Sequence, residues 1–172
     1  MTGAAQGSRG GAKHHKGESR QDFETPPDFL CAVEGRFGRI DTDLAATREN
    51  AKALHFIGPD EDSLAPLTRW PVSGVSWLNP PFANIRPWAE KCAAAPRALA
   101  AARILLLVPA AVGSNWYAKN VHDKAHVYFL NNRIQFVGAK FAYPKDCMLA
   151  VYGEAPGFTV WRWRDELPEP AA

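Results

Sequence analysis

The stretch that most constrains this chain is Trp77-Leu78-Asn79-Pro80-Pro81-Phe82. An apolar run over residues 72–78 ends there in an amide, two prolines and an aromatic ring. Proline has no N–H and cannot continue a central strand, so the predicted strand stops at Asn79. A residue before proline is driven toward extended geometry, which holds the Asn79 backbone and, with Pro81 following, stiffens the turn. The strand end therefore presents an amide side chain, exposed carbonyls and a ring at a fixed offset. That set suits a flat ligand with an exocyclic amine. The Asn79 side-chain oxygen and the Pro80 carbonyl each accept one amine hydrogen while Phe82 stacks on the ring face. Two such acceptors favour a more pyramidal nitrogen and aim its lone pair at an electrophilic carbon. The competing reading is an ordinary strand-to-loop turn.

At 172 residues one domain is expected, with 47% apolar and 22% charged residues marking a soluble globular protein. The net charge of +2 permits nucleic-acid binding without predicting it. Cys31, Cys92 and Cys147 are far apart and form no C-x-x-C pair. Neither a disulfide framework nor a metal site is expected, and a reducing cytoplasm is the expected location. No apolar run approaches transmembrane length and the polar N-terminal segment does not read as a signal peptide, so no membrane partner is expected.

Residues 1–20 are rich in Gly, Ser, Lys and His without apolar periodicity, and are expected to be a flexible tail. The domain is expected over residues 21–165, followed by a frayed tail over 166–172. Thr25 before Pro26 is a candidate cap for a helix carrying Phe29, Leu30 and Val33. Residues 39–44 predict a strand ending on acids, and residues 50–56 a short helix. Asn84 is the candidate N-cap of an alanine-rich helix over 88–95, which is expected to resume over 97–102. Residues 104–108 read as a buried parallel strand closed by Pro109, with Trp116 on the following loop. Strands are expected over 125–130, 133–137, 148–152 and 158–163, with 138–146 a hairpin-like connection. Strand-helix-strand alternation predicts an α/β layer fold.

Several of these pieces recur together in a known pattern. Thr25-Pro26, Asp43-Leu44-Ala45-Ala46 with Asn50, Trp70, Asn79-Pro80-Pro81-Phe82, Leu107-Val108-Pro109, Trp116 and Arg133-Ile134-Gln135-Phe136 span roughly residues 22–152. In order and spacing they resemble the phage-type DNA N6-adenine methyltransferase family (Dam-like). The resemblance implies a single Rossmann-like methyltransferase domain with a central, mostly parallel sheet. It also implies methyl transfer from S-adenosylmethionine to adenine N6 in double-stranded DNA, with the target base flipped out of the helix.

By the same resemblance, Asn79, Pro80, Pro81 and Phe82 form the acceptor site. Thr25 and Pro26 lean over the donor, and Asp43 is the donor-binding acid at the first strand end. Ala45 and Asn50 face the donor, and Asp62-Ser63 sit where related enzymes hold its adenine. Asp41 alternates to the same face as Asp43 and competes for that role. Trp116 is either a DNA-stacking ring or a core aromatic, and Arg133 either a DNA contact or a cross-sheet ion pair. The alternative functions are methylation of cytosine N4 or of a protein glutamine amide, or catalytically inactive DNA binding. Recognition sequence and oligomeric state are not readable from the chain.

Overall fold

Residues 104–108 are apolar without alternation, a pattern that needs cover on both faces of a strand. In the computed structural model, which describes residues 23–70, 73–96 and 100–168, they lie in strand β4 (Arg103–Pro109). The other strands are β1 (Ile40–Asp43), β2 (His55–Phe56), β3 (Val75–Leu78), β5 (His126–Leu130), β6 (Cys147–Tyr152) and β7 (Gly157–Trp161). They form one sheet in the order β2-β1-β3-β4-β6-β5-β7. Only β6 runs against the rest, pairing antiparallel with both β4 and β5. The fold is the expected Rossmann-like α/β arrangement with a mostly parallel sheet.

Alternate residues of β4 supply two separate cores. Ile104, Leu106 and Val108 pack with Ala89 and Cys92 of helix α2 (Arg86–Ala94) and with Val121, which follows helix α3 (Asn115–Asn120). Leu105 and Leu107 face Phe29 and Val33 of helix α1 (Pro27–Phe37), Trp77, and Trp163 of a 3-10 turn (Trp163–Glu166). Each fully buried aliphatic side chain contributes roughly 1.5–3 kcal/mol of hydrophobic stabilisation. Packing continues past residue 165, because Leu167 lies against this second core and Arg36 pairs with Glu166.

The chain passes from β1 outward to β2, then returns to place β3 on the other side of β1. In parallel sheets such a reversal opens a crevice at the carboxyl ends of the flanking strands. Asp43 ends β1 and Asn79 follows β3, so the topology brings these two residues to that crevice.

Local structure departs from expectation where long-range contacts compete with propensity. Residues 50–56 are not a helix. The Asn50 side chain accepts the Thr47 N–H (2.7 Å), closing a turn, and His55–Phe56 pair with β1 instead. Residues 133–137 are not a strand, because β6 and β7 already occupy both edges of β5, and 138–146 is correspondingly not a hairpin. The N-cap of α1 is Pro26 rather than Thr25, and that of α2 is Ile85 rather than Asn84, neither with a side-chain cap. Trp116 lies on α3, which Ser114 caps by accepting the Tyr117 N–H. The expected tail over residues 1–20 lies outside the described residues, as do residues 97–99 of the expected helix over 97–102. Residues 100–101 of that segment form a turn.

Candidate active site

A cavity of about 330 Å³ opens at the crevice between β1 and β3, a volume typical of small-molecule sites. Thr25, Asp43, Ala45, Asn50, Asp62, Ser63, Asn79 and Pro81 all line it. Eight site residues expected from the sequence thus converge on one space, although they span 57 positions of chain from Thr25 to Pro81.

Asp43 is held from three sides of its own segment. Its carboxylate accepts the Ala45 N–H (3.2 Å) and the Lys52 N–H (3.0 Å), while its backbone carbonyl accepts the Ile57 N–H (2.9 Å). These bonds shape the loop from β1 to β2 into a wall of the cavity. Burial pushes the Asp43 carboxyl above its ordinary value, against the pull of those backbone donors and of the Lys52 charge. Asp41 does not share this face. The β1–β3 register shifts between Ile40 and Thr42, which breaks the alternation, and Asp41 turns outward to accept the Val75 N–H (2.8 Å). Its carboxylate sits so close to Gly74 that a Cβ there would meet it at 2.0 Å.

Across the cavity, Lys91 of α2 clamps the loop that carries Asp62 and Ser63. Its ammonium donates to the carbonyls of Ser63, Ala65 and Thr68, and lies 5.1 Å from the Trp70 ring centre. The Trp70 indole N–H donates to the Ser63 hydroxyl oxygen (2.9 Å). Asp62 adopts a left-handed backbone (φ 43°) and accepts the Leu64 N–H with one oxygen, a conformation that Asp tolerates better than most residues.

The Asn79 amide is oriented by its surroundings. Its Nδ2 donates to the Phe23 carbonyl and to Thr25 Oγ1 (3.1 Å). A carbonyl can only accept, so the nitrogen must face it and the oxygen must point the other way. Asn79 Oδ1 is buried and has no hydrogen-bond partner among the described residues. An orphaned buried acceptor costs about 1–3 kcal/mol, so Oδ1 is a place for a donor from water or a ligand.

Other expected residues stand apart from the cavity. Pro26 borders a separate cleft, and Pro80 is buried without lining the cavity. Phe82 joins Phe23, Phe136 and Tyr143 in a ring cluster, with centroid distances of 5.5, 5.9 and 5.5 Å from Phe82. Trp116 is half-buried against the first core, in edge contact with Tyr117. Arg133 is exposed and pairs with Asp146 (3.0 Å). Phe23, Glu24, Lys52 and Trp88 also line the cavity and carry no signal in the sequence. Glu24 and Lys52 form an ion pair (2.8 Å) that ties the segment before α1 to the loop after β1.

The fold is that of a Rossmann-like domain of the methyltransferase type, with a cavity at the topological switch point and the Asn79 amide at the end of the third strand. Residues 12–150 match the Dam family of DNA N-6-adenine-methyltransferases, and the chain belongs to that family. Among its relatives is a DNA N-6-adenine-methyltransferase of Escherichia phage T1, 25% identical over 69% of this chain and 50% of the relative. Another, of the same description, is from Haemophilus phage HP1, 28% identical over 58% of this chain and 56% of the relative. The chain spans about half the length of these curated relatives.

Proposed function

We propose that this protein methylates the N6 amine of adenine in DNA, using S-adenosylmethionine as the donor. The observation that carries this reading is Asn79, a residue lining the cavity, whose Oδ1 is a buried acceptor without a partner among the described residues while its Nδ2 is taken by two acceptors. An adenine amine supplies the missing donor. By the family resemblance the Pro80 carbonyl is the second acceptor and Phe82 the stacking ring, although neither residue lines the cavity and both adjoin it through the Asn79 turn.

The residues present suit the donor. Asp43 brings a buried carboxylate, the Ala45 backbone permits close approach, and Asn50, Asp62 and Ser63 offer polar atoms around the same space. When bound, S-adenosylmethionine supplies an electrophilic sulfonium methyl whose C–S bond breaks as the new N–C bond forms. The chain's own residues do the rest. They hold the amine, sharpen its lone pair toward the methyl carbon and exclude bulk water. The surplus proton on the nitrogen leaves to water, so no strong general base is required.

The test is a methyl-transfer assay with radiolabelled donor on unmethylated duplex DNA, followed by nucleoside digestion. Label in N6-methyladenine is the expected result; label in N4-methylcytosine, in protein, or nowhere overturns the reading. Thr25 gives an independent check. Replacing it by valine keeps its shape but removes an acceptor behind Asn79, so turnover is expected to fall about 10-fold. Thr25→Ser should restore turnover, and because Thr25 also lines the donor cavity, donor affinity measured alongside separates a loss of orientation from a loss of donor contact. A loss that serine does not restore would mean Thr25 serves only packing.

A further inference from the structure

Residues 131–146 leave the carboxyl end of β5 and return into β6, so this loop lies at the same sheet edge as Asn79. Its inner side is anchored. Ile134 and Phe136 are buried, the Val137 N–H donates to the Glu24 carbonyl (3.0 Å), and the Tyr143 N–H to the Ile134 carbonyl (2.8 Å). Phe136 and Tyr143 pack their rings directly on Phe82. The outer side differs in kind. Phe141 is 74% exposed, with Lys140 beside its ring at 5.4 Å and Lys145 nearby in sequence. Because Tyr143 touches Phe82, Phe141 two residues earlier stands within about 7 Å of chain from the ring cluster beside the cavity.

Phe141 is not alone in being exposed, since Leu54, Leu67 and Phe158 are as open. Among these it is the one carried on a loop anchored against Phe82, with a lysine over its ring. One ring with a lysine over it offers far too little apolar area for a stable protein interface, which needs about 800 Å² on each side. An apolar ring beside a cation, with a second lysine four residues on, matches a different surface, the stacked bases of a duplex edged by phosphates. We propose that the 131–146 loop is a duplex-engaging element, in which Phe141 inserts into the base stack beside the target adenine while Lys140 and Lys145 contact the flanking phosphates. The wedge fills the space that the base vacates and so favours its extruded position in the cavity. This proposal rests on the DNA-methylation reading above.

The test compares the full wild-type chain, Phe141→Ala and Phe141→Leu on two DNAs that share the methylated site, once sequencing has mapped it. One is an intact duplex; the other has an abasic position opposite the target adenine, so that extrusion is already easy. Phe141→Ala is expected to lose about 10-fold or more on the intact duplex but less than about threefold on the abasic one, with leucine retaining most activity. Replacing both lysines by alanine should lower the salt slope of binding by about two, on any sequence. Equal losses by Phe141→Ala on both DNAs, or no loss on either, overturn the wedge while leaving the methylation reading intact. Absence of methyl transfer by the wild-type chain on both DNAs would remove that reading, and this proposal with it.

Discussion

Asn79→Ala is expected to lower turnover by about 100-fold or more, because it deletes an acceptor whose value lies in the transition state. The fold should tolerate the change. Oδ1 satisfies no protein donor among the described residues, and the two groups behind Nδ2 are acceptors that water can replace. Donor affinity should accordingly change by no more than about twofold, which separates this residue from the donor pocket. Asn79→Asp sharpens the point. A carboxylate there sets one oxygen against the Phe23 carbonyl, two acceptors facing each other with no proton between them. Aspartate should therefore fail to substitute, although it keeps an oxygen in the place of Oδ1. Single-turnover methylation with parallel donor titration measures both quantities, and near-normal methylation by Asn79→Ala would remove the acceptor role of this motif.

Asp43→Ala should weaken S-adenosylmethionine binding by about 1.5–3 kcal/mol, roughly 10- to 150-fold in Kd, the cost of losing a hydrogen bond to a charged group. Part of the loss comes from the protein itself. The variant leaves the N–H groups of Ala45 and Lys52 without their acceptor, and those bonds shape the loop that walls the cavity. Thermal stability should fall with affinity, whereas Asp43→Asn keeps an acceptor and should recover stability more than binding. Asp41→Ala is the control. It loses one bond, to the Val75 N–H at the far end of β3, and faces away from the cavity. Calorimetric titration of the three variants decides the matter: a larger affinity loss for Asp41→Ala than for Asp43→Ala would overturn the assignment of the donor-side acid.

Phe82 and Arg133 show how far a motif carries. Phe82 is expected as a base-stacking ring, yet much of its surface already meets Phe23, Phe136 and Tyr143. Three of these four rings lie outside the Asn-Pro-Pro-Phe motif, two of them more than fifty residues downstream. Arg133, expected as a DNA contact or a cross-sheet ion pair, pairs with Asp146 at the two ends of a surface loop rather than across the sheet. An exposed pair of this kind contributes roughly 0–1 kcal/mol, so it holds Arg133 only weakly against a phosphate.

The sequence by itself determined the features that depend on neighbouring residues. Two prolines stop β3 at Asn79, an unbroken apolar run demands cover on both faces of β4, and strand-helix alternation leads to the layered α/β fold. It also placed Asp43 and Asn79 at strand ends. Only the tertiary structure decided what those ends face. The register shift that turns Asp41 outward arises in β1–β3 pairing, and the loss of a helix over residues 50–56 follows from β2 pairing with β1. Thr25 reads locally as a helix cap, but its hydroxyl is taken by an amide 54 residues away. Lys91 clamps a loop 23 to 28 residues upstream, and no period along the chain encodes that reach. Propensity and turn chemistry act over a few residues and are legible in order, whereas hydrogen-bond competition between distant segments is settled only when the sheet brings them together.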